Sequence, residues 1–161
     1  MTLAFSTEIN GKETLFPEKI IRSLDISEPK KMTQFDLYYE VKPFEKWLNI
    51  NDFFVLKPKI HTIREDKSKR WKVGNKIHFV INNRTKKRFQ FAPVVNVKLI
   101  QKIFITPNSE IFRVNIDGKW LDDSQVEKLA LNDGFNSVKD FFEWFNEDFV
   151  GNVIHWTDAR Y

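Results

Sequence analysis

Residues 59 to 64 read Lys-Ile-His-Thr-Ile-Arg, and three of these side chains do chemistry when they are brought together. A lysine amine set beside other cations is pushed toward its neutral form and then works as a base or a nucleophile. A threonine hydroxyl beside it is activated or donates a hydrogen bond, and an arginine presents a fixed fork to a phosphate or carboxylate. In an extended segment starting near His61, Thr62, Arg64 and Asp66 share one face while Ile63 points the other way. Lys59, directly after Pro58, stands at the entry to that strand rather than in its ladder, where its amine can turn toward Thr62. The same residues admit a plainer reading, with Thr62 as a strand former, Arg64 paired with Glu65 or Asp66, and Lys59 solvated.

The surroundings of this hexapeptide favour an anionic ligand. The stretch from Lys59 to Phe79 holds nine Lys, Arg or His residues in twenty-one positions, interrupted by apolar residues as in a folded segment. Residues 57–102 carry 14 basic and 2 acidic side chains, whereas residues 1–56 carry 7 and 9 and residues 103–161 carry 5 and 11. A charge run is often only a solvated face. A block this biased within a strand-rich segment instead makes a continuous positive surface, which attracts phosphates. Lys67, Lys69, Arg70, Lys72 and the Arg84-Thr-Lys-Lys-Arg88 turn would form a basic rim that positions a strand without reading its sequence. Trp71 either stacks on a base or covers the end of a barrel, and the turn at Arg84, Lys86, Lys87 and Arg88 reads equally as a solvated hairpin.

Other chemistries are poorly supported. Cysteine is absent, which excludes disulfides and thiolate metal sites and is compatible with a reducing, cytoplasmic setting. The three histidines, His61, His78 and His155, form no helical pair of metal-ligand spacing, so no metal and no cofactor is expected. His61 adjoins the motif and has a side chain that titrates near neutrality, and His155 with Trp156 reads as core or as the wall of a cleft. No glycine-rich phosphate loop and no nucleophile elbow is present. The opening residues lack a secretory signal and no stretch is long enough for a membrane span, so the reading is a soluble chain with no membrane partner.

The elements that must position these residues follow from periodicity and punctuation. With 161 residues, 42% of them hydrophobic and 15% aromatic, one domain over 1–161 with a sizeable core is the default. A strand is expected at 3–6, a turn at Asn10-Gly11, and a helix capped by Thr14 with Pro17 in its first turn. Residues 25–36 lose pattern and read as loop or insertion, and 38–56 as a short helix or strand. From 60 to 116 the chain reads as strands, at 60–64, 75–82, 91–105 and 111–116, a spacing that suggests a small barrel. Val95, Val97 and Leu99 fall on one side, as in a strand with one buried face. Two helices follow, begun by Ser124 with Glu127 and by Ser137 with Asp140, the second carrying the stripe Val138, Phe141, Phe142 and Phe145. Gly151 is expected to turn the chain into a final strand at 152–156.

The order of these motifs resembles the ASCH domain, a small PUA-like β-barrel family associated with RNA. The resemblance rests on "KIHTIRED", "RWKVGNKIHF", "LALNDGFNSVKDFFEWF" and "IHW", with "LAFSTEINGKETLFPEKI" like the opening strand and helix. It covers residues 1–24 and 57–157 and makes residues 25–56 an insertion. It implies an α+β fold, a PUA-like small β-barrel flanked by helices, and RNA or a modified nucleoside as partner in a polar cleft. One branch of the family hydrolyses the acetyl amide of acetylcytidine with a Lys, a Thr and a Glu. The first two correspond to Lys59 and Thr62, and the Glu falls on Asp133, which keeps the charge but is one methylene shorter and on its own is also a common turn former. The leading expectation is therefore an RNA- or nucleoside-binding domain, with an amidohydrolase or ribonuclease using the same cleft as the alternative. A third is an interaction domain whose acidic C-terminal third meets a basic protein.

Overall fold

The computed structural model describes residues 1–24, 33–40, 48–107 and 112–161. It is a mixed α+β fold with three sheets among the described residues, and the chain divides into two compact units, Met1–Lys59 with Lys76–Val95, and Ile60–Asn75 with Asn96–Tyr161.

In the first unit β1 (Thr2–Ala4) is followed by the hairpin β2 (Glu8–Ile9) and β3 (Lys12–Glu13) and by α1 (Phe16–Ile21). The hairpin turns at Asn10 and Gly11, both at positive φ (51° and 74°), the conformation an Asn-Gly pair adopts most readily. Thr14 does not cap α1. Leu15 occupies the cap position at φ 52°, while the Thr14 hydroxyl accepts from Phe16 N at 3.2 Å and donates to Ser6 O at 2.7 Å. Two short helices follow, α2 (Gln34–Glu40) and α3 (Ile50–Val55). The expected loop at 25–36 thus gives way to helix from Gln34, its beginning at 25–32 lies outside the described residues, and so do residues 41–47. α2 starts where it does because Thr33 and Asp36 satisfy each other's backbone N–H groups, at 2.8 and 3.1 Å. Tyr38 then stacks on Phe53 of α3 at 4.9 Å between ring centroids.

β4 (His61–Arg64) belongs to the second unit, and β5 (Lys76–Ile81) and β6 (Phe89–Gln90) to the first, where β1 pairs with β5 in parallel (Leu3↔Phe79) and β5 with β6 antiparallel. β7 (Val95–Asn96) also pairs with β5. Phe5, Phe16, Phe79 and Phe91 meet at 6.1 to 6.3 Å in the core of this unit.

The second unit carries a five-stranded sheet in the order β10-β9-β8-β11-β4, made of β8 (Leu99–Pro107), β9 (Phe112–Ile116), β10 (Lys119–Trp120) and β11 (Phe149–His155) with β4. The strand expected over 91–105 is thus broken into β7 and β8, and its buried phase continues as Val97, Gln101, Ile103 and Ile105. One face of the sheet packs on α4 (Asp123–Asn132) and α5 (Val138–Trp144), joining Ile63, Ile103, Val114 and Val153 to Leu129, Phe141, Phe142 and Phe145. α5 is capped by Ser137 as its sequence indicates, the hydroxyl accepting from Asp140 N at 3.0 Å. α4 begins two residues earlier than Ser124. Asp122 accepts from Gln125 N at 2.9 Å while the Gln125 side chain accepts from Asp122 N at 3.0 Å, a complete capping box, and Ser124 only donates to Asp122. Gly151 is no turn either. It lies inside β11 opposite Ile103, where a Cβ would stand 2.6 Å from Arg64 O and 2.6 Å from the Phe149 ring.

Candidate functional site

Lys59 ends the first of the two segments that make up the first unit. Its N–H donates to Lys19 O at 2.9 Å, and its buried amine sits 4.7 Å from the centroid of the Phe16 ring and 5.8 Å from that of Phe5. Two aromatic faces offer a desolvated ammonium the negative side of their quadrupoles, an attraction that is strongest away from water. The same unit buries Glu18 of α1. Burial raises its carboxyl above the usual range, a backbone hydrogen bond opposes that, and Glu13 adds to it.

The motif strand β4 is the edge strand of the five-stranded sheet and pairs with β11, Thr62 opposite Ile154 and Arg64 opposite Asn152. Pleat alternation puts Thr62 and Arg64 on one face and His61 and Ile63 on the other. Thr62 and His61 are fully covered, and Arg64 is half-buried. Burial lowers the guanidinium of Arg64 from its ordinary value, and the charge of Asp133 opposes that shift.

Asp133 is the C-cap residue of α4 and is itself buried. Its Oδ1 lies 3.4 Å from His61 Nδ1. On the other side of the imidazole, His61 Nε2 is 2.6 Å from the hydroxyl of Tyr161, which also accepts from Asn132 Nδ2 at 2.8 Å. The Tyr161 hydroxyl thus bridges Asn132 and His61, and the direction of its bond to His61 Nε2 follows the imidazole tautomer. Asp133, His61 and Tyr161 lie in a row, joined by a hydrogen bond between His61 and Tyr161 and by a 3.4 Å approach between His61 and Asp133. Tyr161 is held by its backbone, its N–H donating to Gln101 Oε1 at 3.1 Å and its carbonyl accepting from Gln101 Nε2 at 3.0 Å. Burial raises the phenol pKa strongly, against the Asn132 hydrogen bond and with the help of Asp133, so the hydroxyl stays protonated.

His155 packs its ring 5.2 Å from that of His61 and is fully buried. Neither of its nitrogens has a hydrogen-bond partner among the described residues. Burial, then His61, lowers its pKa to about 3, against Asp117 and Asp133. It is a neutral wall of this cluster at physiological pH.

Residues 65–75 continue β4 as a tight basic loop. The Asp66 carboxylate accepts from Arg70 N at 3.0 Å and Trp71 N at 2.9 Å, Lys69 N donates to Asp66 O at 2.9 Å, and Lys69 itself takes φ 50°. Burial would raise the Asp66 pKa, but these two N–H groups and the charges of Arg70 and Lys102 lower it. Lys67, Lys69, Arg70 and Lys72 are exposed and Trp71 is half-buried. Lys67 pairs with Glu65 at 3.0 Å, an exposed contact of little energetic weight. Arg84, Lys86, Lys87 and Arg88 are exposed on the β5–β6 connection of the first unit, which is closed by Thr85 hydrogen bonds to Asn82 and Lys87.

Sequence reasoning singled out Lys59, Thr62, Arg64 and Asp133 and left His61 ambiguous. It missed Tyr161, Asn132 and Gln101, which no spacing connects to His61, and Glu18, whose burial depends on tertiary packing. Among the described residues no group of three or more His, Cys, Asp or Glu side chains is placed to hold a metal ion, and no helix is long and apolar enough to cross a membrane. Searches of protein-family models, curated proteins and solved structures returned no match to this chain.

Proposed function

We propose that this chain is an RNA- or modified-nucleoside-binding domain of the ASCH kind, its strands belonging to a PUA-like barrel flanked by helices. The observation that carries this reading is the loop directly after the Thr-Ile-Arg strand. Four exposed cations, Lys67, Lys69, Arg70 and Lys72, stand on a backbone held by the Asp66 carboxylate at Arg70 N and Trp71 N and by Asn75 Oδ1 at Lys72 N. A fixed row of cations neutralises phosphates without losing the ordering entropy of a mobile tail. Arg64, half-buried at the end of β4, leads directly into that loop. Binding to single-stranded RNA at low salt that weakens as salt rises supports it, and no binding at low salt removes it.

A second reading, an amidohydrolase on an acylated nucleoside or a ribonuclease, is favoured by the Asp133–His61–Tyr161 line, which offers a carboxylate, an imidazole and a neutral phenol within 3.4 Å of one another in sequence along the line. In this reading Lys59 and Thr62 take the base and hydroxyl roles that the family resemblance implies. Mass-spectrometric turnover of acylated and unmodified nucleosides and short RNAs, wild type beside Lys59→Ala, separates the two. Product from the wild type alone makes the chain an enzyme, and RNA bound without product leaves it a binding module.

A further inference from the structure

The five-stranded sheet has a second face, turned away from α4 and α5. The register lays one row across four strands, Val150↔Phe104, Phe104↔Asn115 and Asn115↔Trp120, on the side opposite Ile103 and Ile105. Trp120 is 52% exposed and Val150 70% exposed, and the Trp120 ring meets that of Phe104 at 6.1 Å in an edge contact. The rows on either side are cationic. Arg113, opposite Thr106, holds its guanidinium carbon 5.9 Å from the centroid of Trp120. Lys102, opposite Asn152 and through it in line with Arg64, donates from Nζ to Asn152 Oδ1 at 3.0 Å. Lys102 is neighboured by the acidic groups of Asp117, whose carboxylate oxygens accept from Lys102 N at 2.8 Å and Gln101 Nε2 at 2.9 Å, and of Asp66, which accepts from Arg70 N and Trp71 N.

We infer that this face is a stacking platform for single-stranded RNA. Unpaired bases lie on Trp120 and Phe104, because every base has a π-face that an exposed aromatic accepts, and Arg113 and Lys102 receive the phosphates on either side. Asn115 stands between the two rings in the row. Its Oδ1 accepts from Gly118 N at 2.9 Å, and in this proposal its Nδ2 amide donates to a ribose 2′-hydroxyl, the group that separates RNA from DNA. A protein partner fits the face less well: the apolar strip is a single row, and the cations on both sides match phosphates better than an interface core, from which charges are depleted.

The inference rests on the RNA reading above and adds to it a site distinct from the 65–75 loop. The test is fluorescence anisotropy with a short labelled oligouridine and its DNA counterpart, each protein variant first checked by thermal melting. Trp120→Ala is expected to weaken RNA binding about tenfold or more, with an unchanged salt slope because no phosphate contact is lost, and Trp120→Phe to keep most of the affinity. Asn115→Asp retains the acceptor for Gly118 N, loses the amide donor and adds a charge that weakens both nucleic acids, so the readout is the ratio of RNA to DNA affinity, which should fall toward one. Tight RNA binding by the wild type with Trp120→Ala within about twofold of it overturns the platform and leaves the loop reading intact. Equal wild-type affinity for RNA and DNA overturns the assignment to RNA, and absence of wild-type binding overturns both.

Discussion

Replacing His155 with leucine should change how the stability of this protein responds to pH far more than it changes stability at neutral pH. The folded chain holds His155 neutral, its pKa lowered from 6.5 to about 3 by burial and then by His61. The unfolded chain binds that proton first as pH falls, so this residue's contribution is fully present above pH 6.5 and is lost progressively toward pH 3. The loss runs at about 1.4 kcal/mol per pH unit, so between about pH 7.5 and pH 5 the wild type gives up about 2 kcal/mol through this side chain alone. Leucine fills a similar volume, and because neither His155 nitrogen has a hydrogen-bond partner among the described residues, no described hydrogen bond is broken. At neutral pH the change should then stay within about 1.5 kcal/mol. Urea unfolding of both proteins at the two pH values measures the difference directly, since the carboxylates common to both cancel, Asp117 and Asp133 among them. Parallel pH dependences, with the variant losing as much as the wild type, would refute the neutral buried imidazole.

Gly151→Ala places a Cβ 2.6 Å from Arg64 O and from the Phe149 ring, and because the first of these is backbone it should cost about 1–3 kcal/mol in urea unfolding; an unchanged midpoint would contradict the close approach. Asp122→Ala removes the capping box of α4 and should cost about 1 kcal/mol, which thermal or urea unfolding reads, whereas Ser124→Ala should cost less than half of that because Ser124 caps nothing. Asp66→Ala leaves the N–H groups of Arg70 and Trp71 without their acceptor, so their amide exchange should accelerate while that of β8 is unchanged; retained protection at both would show that the loop is held by something else.

Much of the second unit was legible because its signals are local. Ser137 with Asp140 and the stripe at Val138, Phe141, Phe142 and Phe145 are contained in nine residues, and they gave α5 with its cap and its buried face. The strands around Thr62 and Val114, like that around Phe79 in the first unit, announced themselves by β-branched and aromatic runs. At α4 the chain offers Asp122, Asp123 and Ser124 in a row, and the deciding residue was Gln125, three positions after Asp122, which completes a box that Ser124 and Glu127 do not. The start of α2 carried the same kind of sign in Thr33 and Asp36. Gly151 misled because glycine in a sequence marks a turn and a close approach alike. The His61–Tyr161 contact spans one hundred residues, and no periodicity reaches that far. Pairings of this range are set by strand order, and the placement of β4 beside β11 is what brings Tyr161, Asn132 and His61 together.

The central claim is that the ordered cations of the 65–75 loop hold RNA through its phosphates. The most direct measurement is the salt dependence of single-stranded RNA affinity for the wild type and for a variant with Lys67, Lys69, Arg70 and Lys72 all changed to Ala. For a single strand the slope of log affinity against log salt is about −0.7 per phosphate neutralised, so the variant's slope should be shallower by about 3 if all four make contacts. The same steep slope in both proteins would contradict the claim and take the loop out of the interface.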